Sequence, residues 1–178
     1  MDAYLDNVTV TIGDDTTNLI KDGSFETAPN AEPVETWRER FPLLDGWTPK
    51  GTGKENVTAI TDPDNEDNGV LKILDTTATG YPYVDYNIAI PVEPGSTYRL
   101  TAQYKFAEGV INPSLGIYLR HTKSSDMRDE DNKIINRLVS TSYKNTGKTW
   151  QPISHEIVIP EGVTVVYLRL ATAAIVPS

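Results

Sequence analysis

The sequence predicts an all-β protein that folds as a β-sandwich of the jelly-roll type. Nine or ten short segments alternate apolar and polar residues with a period of two, and turn-forming residues such as glycine, proline, asparagine and aspartate separate them. Almost no stretch has the 3.6-residue periodicity of an amphipathic helix. At 178 residues, the chain is long enough to bury a two-sheet core in a single domain.

The alternation is clearest in residues 3–12 (AYLDNVTVTI), where Tyr4, Asp6, Val8 and Val10 are expected to share one face. One short helical turn is predicted at residues 33–41, and residues 122–133 are predicted to form a charged surface loop. The remaining predicted strands are residues 18–20, 56–60, 69–74, 83–92, 97–106, 114–121, 134–143, 149–159 and 163–172.

Composition excludes several classes of partner. A formal net charge of −9 argues against nucleic acid and against an anionic membrane, because no basic stripe is available to neutralise phosphates. No apolar run approaches the roughly 18 residues of a membrane-spanning helix, and the N-terminus lacks the features of a signal peptide. The chain is therefore expected to be cytoplasmic or to be part of a longer protein.

The residues that catalysis requires are scarce. There is no cysteine, and His121 and His155 lie on predicted strands without the spacing of metal ligands. The acidic clusters fall in hydrophilic turns, where exposure to solvent explains them. We therefore expect no enzymatic activity.

The other features follow from one stretch, residues 18–47. In it, Asp22 and Gly23 form a turn at which glycine is expected to supply a positive φ, and the aromatic residues Phe25 and Trp47 are expected in the core. The run NLIKDGSFE and the later GW resemble the opening of carbohydrate-binding modules with the galactose-binding-like β-jelly-roll fold. Near the end of the chain, the predicted strand TWQPISHEIVI, a P-E-G turn and the strand VVYLRL resemble the closing half of the same modules, which has a T-x-W strand, a P-x-G turn and a strand like V-x-L-R-L.

The resemblance has one displaced element. The segment YLDNV resembles the last strand of such a module, yet it stands first in this chain. We therefore divide the chain into residues 1–13, a strand that resembles the closing strand of such a module, and residues 14–178, the module itself. The simplest explanation is that residues 1–13 belonged to a preceding repeat. The displaced strand is expected to close this domain, with exchange into a neighbouring molecule as the alternative.

The resemblance also implies a structural Ca²⁺. In the family, the glutamate of the G-x-F-E motif and the first aspartate of the closing strand join backbone carbonyls around the ion. The matching positions here are Glu26 and Asp6. Calcium takes six to eight oxygen ligands, so two carboxylates from distant parts of the chain suit it. The alternative is a turn carboxylate and a solvated strand residue.

Sugar binding needs aromatic faces that stack on pyranose rings and planar polar groups that match pairs of hydroxyls. Trp47 and Trp150 are expected in the core. Loop or strand-start positions favour exposure of three other aromatic residues, and three polar residues fall on strands that line the cleft of glycan-binding and xylan-binding relatives. The candidate ligand-binding residues are Trp37, Tyr81, Tyr83, Gln103, Arg120 and Arg169.

The resemblance implies a non-catalytic module that tethers a larger secreted, cell-surface or virion protein to a polysaccharide, next to neighbouring modules of that protein. The alternative is a structural or assembly module of a surface or phage tail protein with no glycan ligand. A screen against polysaccharides separates the two.

Overall fold

The chain forms two antiparallel sheets packed face to face, as the sequence predicts. The structure is a computed structural model that describes residues 2–26, 44–76, 79–108, 114–121, 137–143 and 148–172. The strands in these ranges are β1 (Asp2–Ile12), β2 (Trp47–Gly51), β3 (Val57–Asp62), β4 (Asn65–Leu74), β5 (Pro82–Pro91), β6 (Thr97–Phe106), β7 (Leu115–Arg120), β8 (Arg137–Tyr143), β9 (Gln151–Val158) and β10 (Val165–Thr172). A 3-10 helix at Lys54–Asn56 joins β2 to β3.

Each sheet has five strands. The first sheet has the order β3-β4-β1-β6-β9, and the second has the order β2-β5-β10-β7-β8. Apolar side chains from the inner faces of both sheets form one core, represented by Leu5, Leu71 and Leu100 from the first sheet and by Ile117 and Leu170 from the second. The outer face of each sheet is therefore available for polar and aromatic side chains.

The N-terminal strand lies in the middle of the first sheet. β1 pairs with β4 on one side and with β6 of the same chain on the other. Ala3, Leu5, Val8 and Val10 are fully buried in the core. A central strand holds two ladders of backbone hydrogen bonds, so β1 contributes to both halves of its sheet.

The predicted simple alternation of β1 is wrong at Asn7. Asn7 has a φ of 51°, and the register with β6 shifts between Asp6 and Thr9. This bulge inserts one residue, so Leu5 faces the core before it and Val8 faces the core after it. Because of the bulge, Asp6 and Val8 do not share a face. The Asp6 carboxylate accepts a hydrogen bond from the Asn7 backbone N–H at 2.6 Å.

The segment at Asn18–Ile20 runs beside β1 but is not a strand, contrary to the sequence-based prediction. Among the residues that the structure describes, its backbone makes one ladder-like bond, from the Leu19 N–H to the Val10 carbonyl at 2.9 Å. The Asn18 side chain supplies the rest, since its Oδ1 accepts from the Val10 and Ile20 N–H groups at 3.0 Å each. An asparagine side chain thus replaces backbone pairing here.

Phe25 and Trp47, the two aromatic residues of residues 18–47 that were expected in the core, are buried as predicted. Trp47 is 3% exposed, and its ring centre lies 5.3 Å from that of Phe25 and 5.2 Å from that of Tyr86. Gly23 is required for space rather than for a positive φ, because a Cβ there would lie 2.1 Å from the Val8 carbonyl oxygen. The left-handed residue of that turn is Asp22, with a φ of 49°.

The strand β2 was not predicted from the sequence. β2 contains Pro49 and follows a stretch rich in proline and glycine, so no alternation is visible. Because β2 is an edge strand that pairs only with β5, a proline is tolerated in it. The predicted helical turn at residues 33–41 and the predicted loop at 122–133 lie outside the described residues.

Candidate functional site

The outer face of the second sheet carries a cluster of aromatic and charged side chains. Tyr81 and Tyr83 lie at the start of β5 with their ring centres 6.0 Å apart, and both are half-buried. The guanidinium carbon of Arg169, on β10, lies 3.8 Å from the centre of the Tyr83 ring. At this distance the guanidinium covers one side of the ring and fixes its orientation. We call this surface, with Lys50, Asp85 and Arg120, the tyrosine–arginine face.

The strand register explains why these residues meet. Tyr83 and Asp85 are two residues apart on β5, so they point to the same side of the sheet. Lys50 is directly opposite Tyr83 on β2, and Arg169 is directly opposite Asp85 on β10. Arg120 lies one strand further, on β7. The face therefore spans four neighbouring strands.

Asp85 is the charged centre of this face. Arg169 donates to its two oxygens, from Nε to Oδ1 at 2.7 Å and from Nη2 to Oδ2 at 3.0 Å. Arg120 Nη2 lies 3.4 Å from Oδ1, and Lys50 Nζ lies 3.2 Å from Oδ2. Burial alone would raise the pKa of Asp85, but Arg169, Arg120 and Lys50 hold this pKa below its ordinary value. Asp85 is therefore ionised and positions three cationic side chains.

Three predicted ligand-binding residues besides Tyr83 join this cluster: Tyr81, Arg120 and Arg169. Asp85 and Lys50 were not predicted. A signal for Asp85 existed, since it alternates with Tyr83 on one strand and provides the carboxylate that two buried arginines require. Trp37 lies outside the described residues.

Gln103 does not belong to the tyrosine–arginine face. It is exposed on β6, which is a strand of the first sheet, so it lies on the opposite side of the sandwich from Arg169. There it lines an open cavity of about 470 Å³ together with Asn65 and Trp150. We call this space the Trp150 cavity.

Buried charges form the floor of the Trp150 cavity. Lys105 is 2% exposed, and its Nζ donates to Asp62 Oδ1 at 2.6 Å and to Asp64 Oδ2 at 2.7 Å. Burial alone would lower the pKa of Lys105, but the hydrogen bonds and charges of the two aspartates raise it. No signal in the sequence identified these residues, because Lys105 simply occupies a polar position of an alternating strand.

Trp150 is not a core residue, contrary to the sequence-based prediction. It is half-buried just before β9, and its Nε1–H donates to Asp62 Oδ2 at 3.2 Å. Lys105 Nζ lies 4.9 Å from the centre of the indole ring. The hydrogen bond of the indole N–H and the neighbouring Lys105 ammonium hold the ring at the cavity rather than between the sheets.

The two residues expected to bind calcium contact neighbouring residues of β4. Asp6 is buried, and its Oδ2 accepts from Asn68 Nδ2 at 3.1 Å. Glu26 Oε2 accepts from the Gly69 N–H at 3.2 Å. Burial raises the pKa of Asp6, and the nearby charge of Glu26 adds to this rise. The structure therefore brings the two carboxylates together.

Within the described ranges, no group of three or more His, Cys, Asp or Glu side chains is arranged to hold a metal. His155 Nε2 contacts the Tyr143 hydroxyl, and burial raises the pKa of Tyr143 to about 12. No helix in the same ranges is long and apolar enough to span a bilayer.

Comparison with known proteins gives one family. The sequence model of the family described as "Carbohydrate binding domain" matches residues 17–175. No curated protein sequence matches the chain significantly.

Three solved structures are similar at low identity. The CBM22-1 xylan-binding domain of Xyn10C from Paenibacillus barcinonensis is 11% identical, with a TM-score of 0.40, over 75% of this chain and 88% of its own. TmCBM61, solved with beta-1,4-galactotriose, is 8% identical, with a TM-score of 0.35, over 73% and 79%. The enzymatically active domain of tailspike protein 4 from bacteriophage CBA120 is 16% identical, with a TM-score of 0.30, over 74% and 18%.

Proposed function

The chain belongs to the family of carbohydrate-binding domains, and we propose that it holds its polysaccharide on the tyrosine–arginine face. The observation that carries this proposal is the Tyr83–Arg169–Asp85 arrangement. Because the 3.8 Å stack fixes Tyr83 and the two bonds to Asp85 fix Arg169, the aromatic ring is oriented before any sugar arrives. A preorganised surface loses less conformational entropy on binding.

The chemistry of this face suits a sugar. Pyranose rings present C–H groups on their faces, which pack on aromatic rings such as those of Tyr81 and Tyr83. Their hydroxyls can pair with the Lys50 ammonium, which is 41% exposed, whereas the buried guanidinium groups of Arg120 and Arg169 remain engaged by Asp85. Because one carboxylate, Asp85, stands among three cations, the face favours neutral or anionic glycans over cationic ones.

In this proposal the domain does not catalyse a reaction but tethers a larger extracellular or virion protein to a polysaccharide. The family membership supports binding. The described charged residues of the face support the absence of catalysis, since Asp85 is engaged by Arg169, Arg120 and Lys50 and its pKa is low. A carboxylate in this state is a poor general acid.

Affinity electrophoresis in gels that contain plant, fungal or bacterial polysaccharides tests the proposal. Retardation by at least one neutral or acidic polysaccharide is the expected result. A folded protein that migrates unretarded in every gel would instead favour a structural or assembly module.

We also propose that Asp6 and Glu26 hold a structural Ca²⁺. The proposal is supported by two carboxylates that approach β4 at Asn68 and Gly69, each next to a residue with left-handed backbone. These residues are Asn7, with a φ of 51°, and Phe25, with a φ of 57°. Strained backbone of this kind clusters at ligand clamps. The ion would supply positive charge between β1 and the segment that contains Glu26. Carbonyl, amide or water oxygens would complete its coordination shell.

A further inference from the structure

We propose that the Trp150 cavity is a second carbohydrate site, which takes a single uncharged pyranose such as a chain end or a side branch. The cavity lies on the outer face of the first sheet, whereas the tyrosine–arginine face belongs to the second sheet. The two sites are therefore on opposite sides of the sandwich and are independent of each other. A protein with both sites can bind two chains or two parts of one branched polysaccharide.

The size of the cavity fits one or two sugar rings. Its volume of about 470 Å³ falls within the range of about 300 to 1,000 Å³ that ligand pockets occupy. Its lining comes from β1, from the end of β3, from β4 and β6, and from the residues that precede β9, so five separate parts of the sequence converge on it.

The buried charges of the floor are already paired, and Asp6, which also lines the cavity and belongs to the proposed calcium site, accepts hydrogen bonds from Asn7 and Asn68. Asp62 uses Oδ1 for Lys105 and for the Asp64 backbone N–H at 2.9 Å, and it uses Oδ2 for Trp150. Lys105 uses two of its three N–H donors for Asp62 and Asp64. A charged ligand that competes for Asp62 or Lys105 would have to break this buried pair, whereas a neutral polyhydroxylated ligand leaves it intact.

The rim offers the groups that a neutral sugar needs. Gln103 and Asn65 expose amide groups, each of which can donate to and accept from a pair of hydroxyls. The half-buried indole of Trp150 supplies the apolar wall for the C–H face of the ring, and the bond to Asp62 fixes its orientation. Buried ion pairs contribute little net stability compared with apolar residues, so the Lys105 triad is better explained as support for this wall.

Fluorine NMR of protein labelled with 5-fluorotryptophan tests the proposal. The chain has three tryptophans, and a Trp150→Phe variant assigns the Trp150 signal. The probes are methyl β-D-glucopyranoside, methyl β-D-galactopyranoside and methyl α-D-mannopyranoside. We expect at least one probe to shift the Trp150 signal saturably. The double variant Gln103→Ala, Asn65→Ala should weaken this binding about tenfold or more, because two hydrogen-bonding groups are removed.

Two controls separate this site from general effects and from the proposed main site. Asn56→Ala removes a surface amide that does not line the cavity and should leave the affinity unchanged. Tyr83→Ala alters only the tyrosine–arginine face and should also leave it unchanged. The proposal is overturned if no probe shifts the Trp150 signal of the folded protein, if the double variant binds as well as wild type, or if Tyr83→Ala abolishes the shift.

Discussion

Arg169 covers the ring of Tyr83 at 3.8 Å while its Nε and Nη2 atoms donate to Asp85 at 2.7 and 3.0 Å. One side chain thus links a sugar-stacking candidate to the buried carboxylate that charges the face. Because Asp85 is 2% exposed, this link lies out of bulk solvent, and its loss is expected to affect stability as well as ligand binding.

Asp85→Asn should destabilise the protein by about 3 to 5 kcal/mol, because it leaves the buried Arg169 and Arg120 without their carboxylate. Urea unfolding measures the change. Glu156→Gln is the control, since it breaks an exposed pair with Arg99 and should cost less than about 1 kcal/mol. An equal loss of unfolding free energy in the two variants would contradict the conclusion that the buried Asp85 carboxylate stabilises the protein by pairing with the arginines.

Stability should depend on the charge of Asp85 at acid pH. Its pKa in the folded protein lies below the ordinary value, so its contribution is complete above about pH 4 and is lost as the pH falls through the folded pKa. The difference in unfolding free energy between wild type and Asp85→Asn should therefore shrink below about pH 4. A difference that stays constant from neutral to acid pH would show that the carboxylate charge does not matter.

The pattern of strands could be predicted from the sequence, but the assignment of strands to sheets could not. Period-two alternation places Gln103 and Arg169 on outer faces equally well. Only the pairing of β6 with β1 and β9, and of β10 with β5 and β7, puts them on opposite sides. The prediction that Gln103 joins the arginines is wrong for this reason.

Two local irregularities in the strands and one set of long-range contacts could not be predicted from the sequence. The bulge at Asn7 reverses the faces of β1 in the middle of an alternating run, and Pro49 hides the edge strand β2. Trp150 looked like a core residue because its strand matched the family pattern, yet Asp62 and Lys105, distant in the chain, hold it at a cavity. Such long-range polar contacts leave no trace in periodicity.

Deleting residues 2–12 should abolish soluble folding. The deletion removes the central strand of the first sheet, leaves one edge of β4 and one edge of β6 unpaired, and opens the core where Leu5, Val8 and Val10 are buried. Unpaired edges of this kind promote aggregation. Circular dichroism and gel filtration measure the outcome, and concentration-dependent oligomers of the full chain would favour strand exchange between molecules. A soluble deletion variant with an unchanged melting midpoint would contradict the structural role of β1.

Calcium should stabilise the protein through Asp6 and Glu26. An ion that binds only the folded state adds about 2.7 kcal/mol at a hundredfold excess over its Kd. Thermal melting with EDTA and with excess Ca²⁺ measures the shift, which Glu26→Gln should reduce and the exposed-site control Glu55→Gln should not. Identical melting midpoints of the wild type with and without Ca²⁺ would contradict the proposed calcium site.

The tyrosine–arginine face is tested most directly by the double variant Tyr81→Ala, Tyr83→Ala. Its affinity is measured in the polysaccharide gel that retards wild type most strongly, and its folding is verified by circular dichroism. Val158→Ala, which shortens an exposed apolar residue of β9, is the control. We expect the tyrosine variant to stay folded and to bind about tenfold more weakly or worse, because two stacking rings are lost, while the control binds normally. A folded tyrosine variant with wild-type affinity would show that the polysaccharide does not bind at the tyrosine–arginine face.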